Sequence, residues 1–514
     1  MMRHHKNHDR LSGIDTAFLY LEREGVPMHI AGVSELEGIV SYEECVRFIT
    51  WKIPHIPRYR QRVVAPLFNI GRPIWEFDPE FDVRNHVREV TLKRGTGAEF
   101  KALSAKILSQ RMDRRRPLWD ITLVRGLKGN RTGFITRVHH CLADGVSGVD
   151  LMNVVLGPRP VAAPKGRPRF RVPPSRDPWA GIVDDWINSY TSIVDQALST
   201  QADILNLVER IVSGRGIARG KGAGKLLLEA AAPTEALHFN TTVRGPQQLA
   251  WLEVPLAEIK ALKEACECSV NDVALTLVTM AVRRYAQLHG DDIRGRLLRI
   301  MVPVNLREED GRGQLGNQIS IMPVTIPFDV QHPRKLLAAV HERTQFLKKS
   351  YVAELATLAG GMLGFLPTAL QALAGPIATL LPITPFNLVC TNVPGPQVPL
   401  YMMHHKMLTW YPYVPIGGDM ALNVAVLSYN GKVYFGFSGD VHAAPNIARL
   451  EKFLAMGLRE LKSAVGIRTR RRAAVAKQKP GTTVQAEPAQ AIPAAAPPSQ
   501  TEPVSEDESV AAVA

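Results

Sequence analysis

The chain has 514 residues, 46% of them hydrophobic and 21% charged. These are the proportions of a globular protein, with length for several domains of about 150 residues each, so a wholly disordered or fibrous chain is excluded. Its formal net charge of +14 favours anionic partners, with nucleic acid, an anionic membrane and a phosphate-bearing co-substrate all eligible.

Residues 1–156 read as a mixed α/β unit, in which apolar strands such as Phe134–Val138 alternate with helical stretches such as Phe100–Arg111. The amino terminus, MMRHHKNHDR, is polar and basic and reads as lacking a secretory signal. Residues 157–237 read as a linker, rich in Pro and Arg over Gly157–Pro178, helical in pattern over Trp179–Val212 and rich in Gly over Ser213–Lys225. A second ordered unit, 238–466, carries strands at Leu249–Val254, Leu298–Val304 and Ile319–Ile326. It also carries a hairpin turning at Asn430-Gly431 and a closing amphipathic helix over Pro445–Val465. Residues 467–514, rich in Ala, Pro and Gln, read as a disordered tail.

From Leu355 to His405 there is no Asp, Glu, Lys or Arg. Glycines and two prolines interrupt its first part, which favours a buried helix pair or an interfacial helix on lipid over a membrane span. The five cysteines (Cys45, Cys141, Cys266, Cys268, Cys390) have no metal-type spacing, and the setting reads as reducing and intracellular. No metal site is expected, since His4, His5, His8, His404 and His405 lack acidic or sulfur partners at ligand spacing. GRGQLG (Gly311–Gly316) leads into a strand instead of a helix, so it is no dinucleotide fingerprint. GKGAGK (Gly220–Lys225) lacks the phosphate-loop spacing, and Ser147 lacks the second glycine of a nucleophile elbow.

One constellation survives, FITRVHHCLADGVSG, in which a strand ends at His139-His140 and Asp144-Gly145 follows where a helix opens. A neutral imidazole with an ordinary pKa near 6.5 can take a proton from a hydroxyl, which then attacks a thioester carbonyl without a covalent enzyme intermediate. Asp144 is placed to hold the loop, with Arg60 as its candidate partner. A core histidine beside an N-capping aspartate is the structural alternative. Cys141 as a nucleophile activated by His140 is disfavoured, because adjacent residues leaving a strand point apart.

These residues sit among LSGIDTAFLYLE (11–22), PMHIAG (27–32), RPLWD (116–120), SVNDVAL (269–275), VPVNLR (302–307), LGNQIS (315–320) and TNVPGP (391–396). Together they resemble the bacterial wax ester synthase/diacylglycerol acyltransferase family of the CoA-dependent acyltransferase superfamily, from Leu11 to about Leu461. The resemblance implies an α/β (α+β) fold of two chloramphenicol-acetyltransferase-like lobes joined by a crossover helix in the linker, with a substrate tunnel between them. It implies His140 as general base, His139 as its motif neighbour, and Asp144 and Gly145 as structural residues. Asn271, Asp272, Pro117, Leu118 and Trp119 would bind substrate or support the cleft. No permanently bound cofactor is implied. Acyl-CoA would be co-substrate and diacylglycerol or a long-chain alcohol the acceptor, in the cytoplasm at the inner membrane or a lipid droplet. One departure is RGPQQ (Arg244–Gln248), which lacks the paired arginines expected there.

Other readings remain open. The acceptor is another lipid or a polyketide-derived alcohol, or the chain binds lipid without turnover. Nucleic-acid binding has no aromatic interleaving or recognised module behind it. The basic linker is a solvated connector or a contact for anionic lipid.

Overall fold

The computed structural model describes residues 10–65, 72–142, 152, 155–162, 234–305, 319–349 and 386–467. In chain order the first elements are α1 (Gly13–Leu21), β1 (His29–Glu37), α2 (Tyr42–Lys52), β2 (Gln61–Val64) and β3 (Ile74–Phe77). They are followed by β4 (Val87–Thr91), α3 (Gly97–Leu108), β5 (Trp119–Leu127) and β6 (Arg131–His139). The later part contributes β7 (Gln247–Pro255), α4 (Leu256–Ala265), α5 (Val270–Leu288), β8 (Leu297–Asn305), β9 (Ile319–Pro327) and α6 (Pro333–Lys349). It closes with β10 (Leu388–Pro394), β11 (Tyr401–Met402), β12 (His405–Tyr413), β13 (Leu422–Tyr429), β14 (Lys432–Asp440) and α7 (Arg449–Val465).

Local chemistry explains many of these boundaries. Ser41 and Glu44 form a reciprocal capping box at the start of α2, and Ser269 and Asp272 do the same for α5. Gly466, in the left-handed region at φ 83°, ends α7. Asn430 (φ 45°) and Gly431 (φ 77°) make the tight turn between β13 and β14, as their sequence predicts.

The strands form two six-stranded sheets, ordered β11-β12-β1-β6-β5-β4 and β7-β14-β13-β10-β8-β9, with β2 and β3 as a separate hairpin. In the first sheet β4 and β5 run parallel, and α3 makes the crossover between them. Behind the second sheet, α5 is buried along most of its length, from Asp272 to Ala286. Each sheet has its own apolar core, one centred on Phe48, Trp119 and Phe134, the other on Leu275, Val282 and Phe435.

One topological feature departs from the expected division at residue 238. β11 and β12 belong by sequence to the later unit, yet β12 pairs antiparallel with β1 from Ala31↔Tyr413 to Leu36↔Met407. The same strand lies against the second sheet. The Tyr434 hydroxyl donates to the Leu408 carbonyl at 3.4 Å and Ser438 Oγ to the Val414 carbonyl at 2.7 Å. A Cβ on Gly436 would sit 2.0 Å from the Pro412 carbonyl oxygen, so only glycine permits this approach. A pairing between residues almost 400 positions apart has no local sequence signal, which is why a boundary drawn from composition misses it.

The expected crossover helix, most of the linker (163–233) and the tail beyond Ile467 lie outside the described residues. So does the first part of the uncharged stretch, whereas its later part forms β10, buried at Leu388 and Cys390. Among the described residues no single helix is long and apolar enough to cross a membrane. α4 and α5 reach that length together, but they meet at 103°.

Candidate active site

β6 runs between β1 and β5 in the first sheet and delivers the histidine pair at its end. His139 faces His29 across β1, and its N–H donates to the Leu118 carbonyl at 2.9 Å. The next residue turns away: His140 N–H donates to the Met28 carbonyl at 2.8 Å, and Leu142 N–H returns to the His139 carbonyl at 2.9 Å. This small loop presents two imidazoles to two different surroundings, as alternation along a strand requires.

His139 is fully buried. Its Nδ1 accepts the Cys141 N–H at 3.2 Å and lies 3.0 Å from Cys141 Sγ. With Nδ1 an acceptor, the ring proton belongs on Nε2, which faces Glu22 Oε1 at 3.5 Å. The Glu22 carboxylate also accepts the Met28 N–H at 3.3 Å and Arg114 Nη2 at 2.7 Å. Burial opposes its charge, but His139 and Arg114 outweigh that and hold its pKa at about 2. Arg114 also donates to the Leu19 carbonyl at 2.6 Å, which ties the end of α1 to the histidine strand.

His140 is only partly buried, and its ring stacks on Phe18 of α1 with centroids 3.7 Å apart and planes 16° from parallel. Apolar surroundings, then the neighbouring His139, push its pKa down to about 4. The ring is therefore neutral at physiological pH. A neutral imidazole keeps one ring nitrogen with a free lone pair. That nitrogen is a proton acceptor.

The Cys141 thiol is buried beside His139, away from His140, and burial raises its pKa well above the ordinary thiol range. It is a protonated core thiol and a poor nucleophile. Asp144 and Gly145 lie outside the described residues. Arg60, the expected partner of Asp144, holds its guanidinium 5.0 Å above the Phe77 ring.

The other motif residues fall in two places. Pro117, Leu118 and Trp119 are buried. Trp119 stacks on His86 at 4.4 Å and donates Nε1–H to the Tyr59 carbonyl at 2.7 Å, so this motif supports the histidine strand from within the core. Asn271 and Asp272 open α5, where Asn271 Oδ1 accepts from Asn392 Nδ2 on β10 at 3.2 Å. Asp272 is fixed by His341 Nδ1 at 2.8 Å, by the Thr344 hydroxyl at 2.7 Å and by the Ser269 cap. Beside it, a cavity of about 540 Å³ is lined by Cys266, Cys268, Arg334 and His341 among others, in the second sheet's half and not at His140.

Sequence reasoning missed four residues that build the site. Phe18, Glu22 and Arg114 carry no local signal of a role, because an aromatic on a helix or an acid at its end is ordinary. His29 is fully buried beside His139, and burial, Arg137 and His139 drive its pKa well below the usual imidazole value. RGPQQ, the divergent segment, is tied to the end of β14: Arg244 and Gly245 N–H groups donate to Asp440 at 2.8 and 2.6 Å. A Cβ at Gly25 (φ 76°) would meet the Arg244 carbonyl oxygen at 2.5 Å.

Two sheets clasped by a shared strand, with a neutral histidine at the end of a central strand, define an acyl-transferring enzyme of the chloramphenicol-acetyltransferase-like class. Comparison with known proteins narrows this. Residues 11–274 match the wax ester synthase/diacylglycerol acyltransferase catalytic domain and residues 315–462 the corresponding C-terminal domain. The chain belongs to that family and is an acyltransferase. Two relatives from Mycobacterium tuberculosis are named probable diacylglycerol O-acyltransferases. One, tgs1, is 27% identical over 86% of this chain and 94% of its own. The other, tgs2, is 30% identical over 88% and 98%. The solved wax ester synthase/diacylglycerol acyltransferase of Marinobacter aquaeolei VT8 is 25% identical, covers 89% of this chain and all of its own, and superposes with a TM-score of 0.60. A starter condensation domain of rhizomide synthetase, solved with C8-CoA, shares the fold at 13% identity and a TM-score of 0.53, covering 89% of this chain and 95% of its own.

Proposed function

We propose that the protein transfers the acyl group of acyl-CoA to the free hydroxyl of diacylglycerol, forming triacylglycerol, and accepts long-chain alcohols to form wax esters. The free ring nitrogen of His140 takes the hydroxyl proton as the oxygen attacks the thioester carbonyl. The tetrahedral intermediate then expels CoA thiolate, which recovers the proton from the imidazolium. Both substrates are present together, so no acyl-enzyme forms. His139, held by Cys141 and the Glu22–Arg114 pair, keeps the strand end in shape. Asp144 and Gly145 take the structural role that the motif implies for them.

The observation that carries this reading is the setting of His140: at the end of the central strand β6, partly open, stacked on the Phe18 ring and held neutral by its apolar surroundings. Its environment suits an alkyl substrate, each buried methylene contributing about 0.8 kcal/mol, and the net charge of +14 suits CoA phosphates. Acyl-CoA entering from one side and the alcohol from the other would meet at this ring. The protein would work in the cytoplasm, seated on the inner membrane or a lipid droplet.

The test is direct. Purified protein given acyl-CoA and diacylglycerol should release free CoA thiol, and His140→Ala should reduce that release at least a hundredfold. Undiminished release by the variant removes His140 from the mechanism. Mass spectrometry of products from mixed acyl-CoAs and mixed alcohols then ranks diacylglycerol against fatty alcohols and other acceptors.

A further inference from the structure

From Cys45 to Trp75 the chain carries Arg47, Lys52, Arg58, Arg60, Arg62 and Arg72 and no Asp or Glu. The run begins in α2 and continues through two 3-10 turns, Ile53–His55 and Pro57–Arg60, into the β2–β3 hairpin. In α2, Cys45, Phe48 and Ile49 take the core contacts. Arg47 and Trp51, four residues apart, share the opposite face, where Arg47 is exposed and Trp51 is 41% exposed. His55 and Pro57 extend the exposed surface. The Lys52 ammonium lies 5.2 Å from the Trp51 ring centroid and 5.7 Å from that of Phe48.

Of these cations, Arg47 and Lys52 on α2 are in no ion pair among the described residues. Arg62 meets Glu76 at 3.4 Å, and Glu43, at the far end of α2, is held by Arg84. The end of α2 therefore offers a part-exposed indole, its inner side 6.4 Å from the Phe48 ring and its outer side flanked by cations. Indole favours the headgroup layer of a bilayer, apolar body inward and N–H toward water, and flanking Lys and Arg are drawn to anionic headgroups.

We propose that the outer face of α2 and the turn after it seat the protein on an anionic lipid surface, with Trp51 entering the headgroup layer and Arg47 and Lys52 facing lipid phosphates. This deepens the membrane association proposed above by naming the surface, and it does not depend on the acyl-transfer chemistry.

The full chain is mixed with phosphatidylcholine vesicles containing phosphatidylglycerol, and its partition is read by sedimentation. Each cation near such a surface is worth roughly a fivefold change in partition. The R47E/K52E double variant should therefore bind at least tenfold more weakly, with the unaltered protein's binding falling as salt rises. Brominated lipid should quench fluorescence in the unaltered protein more than in Trp51→Phe. All variants should retain turnover of a detergent-dispersed alcohol. Undiminished partition of the double variant, or no vesicle binding by the unaltered protein, overturns the proposal. So does loss of dispersed-substrate turnover with partition intact, since the cations would then serve CoA phosphates. His140→Ala should lose turnover yet bind vesicles normally, which keeps failure of this surface distinct from failure of the catalytic reading.

Discussion

His140 must stay neutral to accept a proton, and its surroundings are arranged for that. With the pKa pushed down to about 4, the active form dominates at every pH above it. kcat/KM should be flat from pH 7 to about 5 and halve near 4, measured by product mass spectrometry after brief exposure, with full recovery on return to pH 7. An acid limb at the ordinary imidazole value near 6.5 would contradict the apolar setting made by Phe18. Glu22 behaves oppositely in sign. Its folded pKa of about 2 lies below the 4.5 of the free group. The stability it contributes is present above 4.5 and lost as pH falls toward 2. Glu22→Gln should lower stability by about 1–3 kcal/mol at pH 7, because Arg114 and the Met28 N–H lose a charged acceptor. It should also flatten the acid loss seen by thermal unfolding between pH 5 and 3.

At the scale of elements, packing between the sheets sets the tolerance for change. Gly436 on β14 lies under the Pro412 backbone of β12, where an added methyl would sit 2.0 Å from a carbonyl oxygen. A backbone atom cannot rotate away as a side chain can. Gly436→Ala should cost about 1–3 kcal/mol or more and lower the melting temperature, whereas Gly290→Ala, with open space around it, should show only modest backbone strain from its positive φ. Elements of this kind divide by how local their cause is. The β13–β14 hairpin was legible because Asn430-Gly431 contains its own turn chemistry, and α7 because its amphipathic period is contiguous. The motif histidines were legible for the same reason, being fixed in spacing at a strand end. Phe18, Glu22 and Arg114 were not, since their roles arise only when α1 and the segment before β5 close around His139. The meeting of Asn271 with Asn392, 121 residues on, was visible only as two separate motifs.

On the scale of the whole molecule, the two halves are not independent bodies, because β12 completes the first sheet while packing on the second. Cutting the chain between residues 237 and 238 would leave β1 with a bare edge and bury no partner for Leu36, Met407 and Trp410, all of them core residues. An unpaired apolar edge promotes association with other chains. Residues 1–237 and 238–514 expressed apart should each aggregate or remain expanded by size-exclusion chromatography. Co-expressed, they should copurify and regain turnover, since the pairing from Ala31↔Tyr413 to Leu36↔Met407 needs no covalent link between the halves. A stable, monomeric 238–514 fragment would show that β12 can settle without β1. The shared strand would then be an accessory of the fold, and the site at the end of β6 would owe its geometry to the first sheet alone.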